Sequence, residues 1–160
     1  MMKKLVYLLP VLFFLIASCD QDNIFDQEEQ LRIDIDLIET YLAQNNLVAD
    51  TLRPSEIRII TTQAGTGPLP SFGSSVVVDY RGYLLDGTEF DTSIGVGAID
   101  VVVGRGDVIQ GWEIALREMN AGTSATILIP SGLGYGNNRQ GQFITPNSVL
   151  IFDIQVLDVR

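Results

Sequence analysis

Few side chains in this sequence can do chemistry, and the absences narrow the field first. There is no histidine and only one cysteine among the 160 residues. Without histidine, neither a Ser/His/Asp nor a Cys/His nucleophilic arrangement can be assembled, and His-containing zinc sites are excluded. One cysteine rules out an internal disulfide and a thiolate metal cluster. No metal and no cofactor is expected. Gly65-Thr66-Gly67 lacks the third glycine of a dinucleotide loop and does not open a helix. What remains is an apolar surface carrying a few polar groups. Val108-Ile109 lead through Gly111 into a short amphipathic helix in which Trp112, Leu116 and Met119 recur at helical spacing. Trp112 is the only tryptophan and stands at the first turn of that helix. Against a curved sheet, such a helix would form an apolar cup with the indole at its open end. On the helix alone, an ordinary core aromatic is the simpler account of Trp112.

The elements around that helix read as strands. Glu56 to Thr62 alternates Ile57, Ile59 and Thr61 with Arg58, Ile60 and Thr62. In Ser74 to Leu85, Val76, Val78, Tyr80 and Gly82 share one face; Val77, Asp79, Arg81 and Tyr83 share the other. Asp86-Gly87 is a turn signal, and the chain returns through Thr88 to Ser93. Further strands are expected at Ile99 to Val103, Thr123 to Ile129 and Ser148 to Val159, the last with Leu150, Phe152, Ile154 and Val156 on one face. Between the last two, Pro130 to Thr145 is a loop with four glycines and Tyr135. Loops of this length in compact domains usually carry a site. About five strands with hairpin connections and one internal helix make an antiparallel α+β domain.

Upstream lies a second helix pattern. From about Gln27 to Gln44, Leu31, Ile35, Ile38 and Leu42 fall on one stripe, with Asp34 near it and Tyr41 beside it. One helix cannot bury its stripe alone, so this one is expected to dock on the domain, with pairing to a partner as the alternative. Asp20 to Gln30 reads as an acidic tether, and Arg53-Pro54-Ser55 as a linker into the first strand.

The first residues form a leader. Lys3 and Lys4, the only lysines, precede an apolar run from Leu5 to Ile16 that is short for a bilayer span. The run ends in Ile16-Ala17-Ser18-Cys19, which resembles the bacterial lipobox. That resemblance implies cleavage before Cys19, lipid attachment to it, and a protein anchored to a membrane without spanning it. The expected organisation is therefore a signal peptide at 1–18, a lipidated tether and helix at 19–52, and a globular domain at 53–160. Location would be the cell envelope, facing periplasm or exterior. Beyond the leader, 8 basic against 20 acidic residues leave a formal charge of −12, which disfavours nucleic acid as a partner.

Several segments together resemble the FK506-binding-protein family. They are Val76-Val77-Val78-Asp79-Tyr80-Arg81-Gly82-Tyr83 through Asp91, Gly106-Asp107-Val108-Ile109-Gln110-Gly111-Trp112, Leu133-Gly134-Tyr135-Gly136, and Ile144-Thr145-Pro146-Asn147 through Asp153. They follow in order over roughly Glu56 to Arg160. The resemblance implies a curved antiparallel sheet wrapped around one short helix, here with an N-terminal helical extension. It implies peptidyl-prolyl cis–trans isomerase activity in the folding of exported or envelope proteins. It also implies the site. Trp112 would be the floor, and Tyr80, Phe90 and Phe152 the aromatic walls. Ile99, Val108 and Ile144 would complete the lining. Ile109 would offer its backbone N–H, Tyr135 its hydroxyl, and Asp91 an acceptor beside the twisting amide. Asp91, Tyr135, Trp112 and Phe152 are thus the expected catalytic residues. The partners implied are proline-containing polypeptides, with an FK506-like macrolide as a further ligand.

Two features depart from the family pattern. The loop from Thr92 to Ala98 is one residue short and lacks the basic residue often found there, which leaves Asp91 without its usual partner. Gln140 stands where some members have histidine. Neither departure removes the chemistry, because a prolyl amide is turned without any bond to the protein forming, so neither nucleophile nor metal is needed. The rival readings are a non-catalytic module that holds proline-containing segments, or a structural envelope lipoprotein. The N-terminal helix supplies no pocket position and is expected to be dispensable for catalysis.

Overall fold

The computed structural model describes residues 21–160, with side chains from Asp26 onward. The leader and Cys19 lie outside the described residues. Helix α1 spans Gln21–Gln44. The strands are β1 (Asp50–Leu52), β2 (Ile57–Gln63), β3 (Ser75–Leu84), β4 (Glu89–Thr92), β5 (Ile99–Val102), β6 (Ser124–Ile129) and β7 (Leu150–Val159), with helix α2 (Gln110–Leu116) between β5 and β6. All pairings are antiparallel, in the order β1-β2-β6-β7-β3-β4, and β5 pairs with the early half of β3. This is the curved sheet around a short helix that the sequence implies.

The alternation read from sequence sets the two faces. Cross-strand register lines up Ile59, Ile127, Phe152 and Gly82 on one row, and Arg58, Leu128, Ile151 and Tyr83 on the next. The first row faces α2, whose Trp112, Ala115 and Leu116 join Met119 in the main core. The second row faces α1. There Ile38 and Leu42 pack with Leu128, Val149 and Ile151 into a separate, smaller core. The helix therefore docks on the sheet, the first of the two alternatives its stripe allowed.

Two readings are corrected, and the structure adds the surroundings of Arg58. The acidic stretch taken as a tether is helical from Gln21 onward. Gln and Glu are good helix formers and no Gly or Pro interrupts them; Asp26 to Glu29 are exposed, so no apolar period marked the turn. Arg53-Pro54-Ser55 is the turn of the β1–β2 hairpin, not a linker, with the Ser55 hydroxyl donating to the Leu52 carbonyl at 2.6 Å. Arg58, which alternation sets on the face opposite Ile57 and Ile59, is buried beneath α1. Its guanidinium donates to Glu39 at 2.8 Å and to the Glu56 carbonyl at 2.8 Å, which satisfies a charge that burial would otherwise penalise.

Candidate active site

Four aromatic rings converge at the end of the sheet where α2 begins. Trp112 meets Tyr80 with ring centroids 5.1 Å apart and Phe152 at 5.2 Å, both at 87°. Phe90 meets Phe152 at 5.5 Å and 88°. Tyr80 and Phe152 are 6.3 Å apart, tilted at 57°. Edge-to-face contacts of this kind add about 0.5–1.5 kcal/mol beyond burial and lock ring orientations. Trp112 is 3% exposed, so the indole is a floor within the cluster rather than an open rim. Its Nε1 is the one buried side-chain polar atom without a hydrogen-bond partner among the described residues. Phe152 and Ile144 are also buried, whereas Tyr80, Phe90, Ile99, Val108, Ile109 and Tyr135 are half-buried. The fully buried members are the base of the cluster, and the half-buried ones are its solvent-facing rim.

Two glycines make this packing possible. A Cβ on Gly82 would lie 2.7 Å from the Phe90 ring and 2.8 Å from the Phe152 ring. Only a bare backbone lets those rings close over β3. A Cβ on Gly111 would lie 2.5 Å from Ile129, so this glycine lets α2 seat its first turn, and with it Trp112, against β6. Glycine inside the Ser74 to Leu85 strand was a legible signal of close approach, though its partners were not.

The polar groups sit on the rim. The Tyr80 hydroxyl donates to Asp91 at 2.7 Å, and the other Asp91 oxygen accepts from the Thr92 N–H at 2.9 Å. Tyr80 is thus a hydrogen-bond partner of Asp91 on the rim. In the β3–β4 hairpin Tyr83 pairs with Glu89, and an irregularity between Gly82 and Tyr83 shifts the register so that Gly82 stands opposite Asp91, with Tyr80 on the same face two residues on. Burial first, then the hydrogen bond to Asp91 and its charge, push the Tyr80 hydroxyl well above its ordinary value of 10. Tyr135, packed against the same cluster, is shifted in the same direction, by burial first and then by the Asp91 charge. Ser93, which the sequence reading passed over, is buried; it accepts from the Tyr80 N–H at 2.8 Å and donates to Asp79 at 2.8 Å, fixing the start of the 92–98 loop.

The remaining predicted residues join the same cluster. Ile99 enters from β5, and Val108 and Ile109 come from the segment before α2. The Ile109 carbonyl accepts from the Trp112 and Glu113 N–H groups at 3.0 and 3.3 Å, while its own N–H is bonded to none of the described residues. Ile144 is held across the long loop by reciprocal bonds with Gln140 at 3.0 and 3.2 Å. The arrangement is an apolar recess with one carboxylate, two phenolic hydroxyls and one free backbone donor at its edge. It can bind and shape an apolar group beside an amide, and it holds no nucleophile–base pair.

Comparison with known proteins converges on one family. Residues 67–157 match the model of the FKBP-type peptidyl-prolyl cis-trans isomerase. FK506-binding protein 1B of Neurospora crassa is 44% identical over 102 residues, 59% of this chain and 90% of that protein. The outer membrane protein MIP of Legionella longbeachae is 37% identical over 107 residues, 67% of this chain and 46% of that protein. The crystal structure of FkpA from Escherichia coli superposes with a TM-score of 0.66 at 28% identity, covering 84% of this chain and 64% of that one.

Proposed function

This chain belongs to the FKBP-type peptidyl-prolyl cis-trans isomerases, and from that premise we propose that the aromatic recess around Trp112 is where a prolyl amide is turned. The observation that carries this is the convergence of Trp112, Tyr80, Phe90 and Phe152 beside Asp91 and Tyr135. Rotation costs about 18–20 kcal/mol because amide resonance is lost midway. The twisted amide is less polar than the planar one, so a dry recess stabilises it preferentially. The proline ring would rest on Trp112 between Phe90, Phe152 and Ile144. Ile109 would donate its N–H to a substrate carbonyl and Tyr135 its hydroxyl to the peptide, while Asp91, oriented by Tyr80, would stand beside the rotating bond. Each 1.36 kcal/mol gained in the twisted state is worth about tenfold in rate.

The test is isomerisation of short X-Pro peptides, with an FK506-like macrolide as competitor. Turnover lost in Phe152→Ala and inhibited by the macrolide supports the site. Aggregation suppression without turnover favours a holding module instead.

The setting proposed is the cell envelope, with Cys19 as the lipidated first residue of the mature protein and exported proteins as clients. Support comes from the Ile16-Ala17-Ser18-Cys19 pattern and from the likeness to FkpA and MIP. Cys19→Ala should abolish incorporation of radiolabelled palmitate; unchanged labelling would refute the anchor.

A further inference from the structure

Asp34 occupies a position on α1 where packing alone calls for an aliphatic residue. It lies one turn before Ile38 on the docked face and is 0% exposed. A carboxyl group taken out of water is costly unless its oxygens are met by donors. Here they are. One oxygen accepts from Gln30 at 2.8 Å. The other accepts from both the backbone N–H and the hydroxyl of Ser131, each at 2.7 Å. Nothing in the α1 core requires this arrangement. Its consequence lies on the Ser131 side.

Ser131 is itself fully buried and opens a short 3-10 turn, Ser131–Leu133. Its carbonyl accepts from the N–H of Gly134 at 2.9 Å and of Gly136 at 2.8 Å. Tyr135 stands between those two glycines. The Gly136 carbonyl in turn accepts from the Asn147 N–H at 2.8 Å, tying the turn to the far end of the long loop. A continuous set of hydrogen bonds thus runs from α1 to the residues on either side of Tyr135. The loop is glycine-rich and would be poorly fixed without such an anchor.

We propose that Asp34 is a positioning residue for catalysis: through Ser131 it fixes the loop that presents Tyr135 to the substrate. This rests on the role given to Tyr135 above. It reverses the expectation that the N-terminal helix is dispensable. The helix adds no group to the recess, but it sets the geometry of one that does.

The experiment compares full-length Asp34→Ala with Leu42→Ala, which loosens α1 two turns away without touching Ser131. Amide hydrogen exchange at Gly134 and Gly136 should rise in Asp34→Ala and stay unchanged in Leu42→Ala, even where both melt at the same temperature. Per folded molecule, kcat/KM should fall about two- to threefold in Asp34→Ala, approaching the loss on removing the Tyr135 hydroxyl itself, and by less than about 1.5-fold in Leu42→Ala. Asp34→Asn, which keeps one acceptor for Ser131, should recover most of the loss. In the Tyr135→Phe background, Asp34→Ala should cost little more. Equal exchange in both α1 variants, or full additivity with a Tyr135→Phe change that is itself costly, overturns the proposal. If Tyr135→Phe alone costs nothing, the role of Tyr135 fails, and the loop anchor stands or falls on the exchange at Gly134 and Gly136.

Discussion

Ile151 and Phe152 are neighbours on β7, both buried, yet they belong to different structures. Phe152 faces α2 among rings that meet edge to face and reach solvent at one side. Ile151 faces α1 in an aliphatic cluster with Ile38, Leu42, Leu128 and Val149. The first side has a half-buried aromatic rim, an unmet Trp112 donor and a carboxylate at its edge. On the second, the buried polar groups Asp34 and Arg58 are satisfied internally. The contrast separates two uses of burial. One side leaves groups for a visitor, and the other closes on itself. Burial alone would not have told them apart.

The sharpest test is to truncate each neighbour. Phe152→Ala should cost about 3–5 kcal/mol of stability and lower kcat/KM more than tenfold per folded molecule, because three other rings lean on it. Ile151→Ala should cost about 2–5 kcal/mol in stability but change kcat/KM less than about twofold. Chemical denaturation together with the peptide assay reads both. A similar activity loss in the two variants would erase the distinction.

Gly82→Ala sharpens the comparison, since it adds one methyl to the catalytic side. The rings it meets cannot swing away freely, so about 1–3 kcal/mol of overpacking is expected. Activity should fall roughly tenfold, out of proportion to a modest drop in melting temperature, as displaced walls would require.

Tyr135→Phe should be milder, at about threefold in kcat/KM, because it removes one hydroxyl and leaves the recess dry. A larger loss than in Phe152→Ala would shift the weight of the mechanism from apolar burial to hydrogen bonding.

The smallest expected effect is that of pH. The sequence has no histidine, and both rim tyrosines are shifted upward, away from neutrality. A pH–rate profile should therefore be nearly flat from about pH 6 to 8. The contribution of these two tyrosines to stability should respond only in alkali. In the unfolded chain tyrosine ionises near 10, below its folded value, so the unfolded state sheds the proton first and stability falls as pH rises above about 10. Tyr80→Phe should make that alkaline fall shallower in pH-dependent melting, and an unchanged slope would mean that Tyr80 is not shifted. A bell-shaped rate profile centred near 7 would implicate a titrating group, with Asp91 the first to test.

The main elements were legible because they rest on local rules. Alternation in Ser74 to Leu85 and Ser148 to Val159 assigned Tyr80 and Phe152 each to the apolar face of its strand, and Asp86-Gly87 marked the turn between β3 and β4; the irregularity that brings Asp91 opposite Gly82 was not legible. The apolar stripe of α1 showed that the helix needed a partner surface. The motif order named the family and with it the candidate pocket. Alternation, however, says which residues share a face, not what covers it. Arg58 shares a face with Ile60 and Thr62, and only the docking of α1 decides that it is buried. Asp34 reads as a blemish on a stripe; its partner Ser131 is 97 residues away, and no local pattern marks such a pairing. The composition excluded histidine-activated nucleophiles and a thiolate cluster. The tertiary structure decided which tyrosine holds Asp91 and which carboxylate holds the loop, because both depend on distances that exist only after the sheet has curved and the helix has docked.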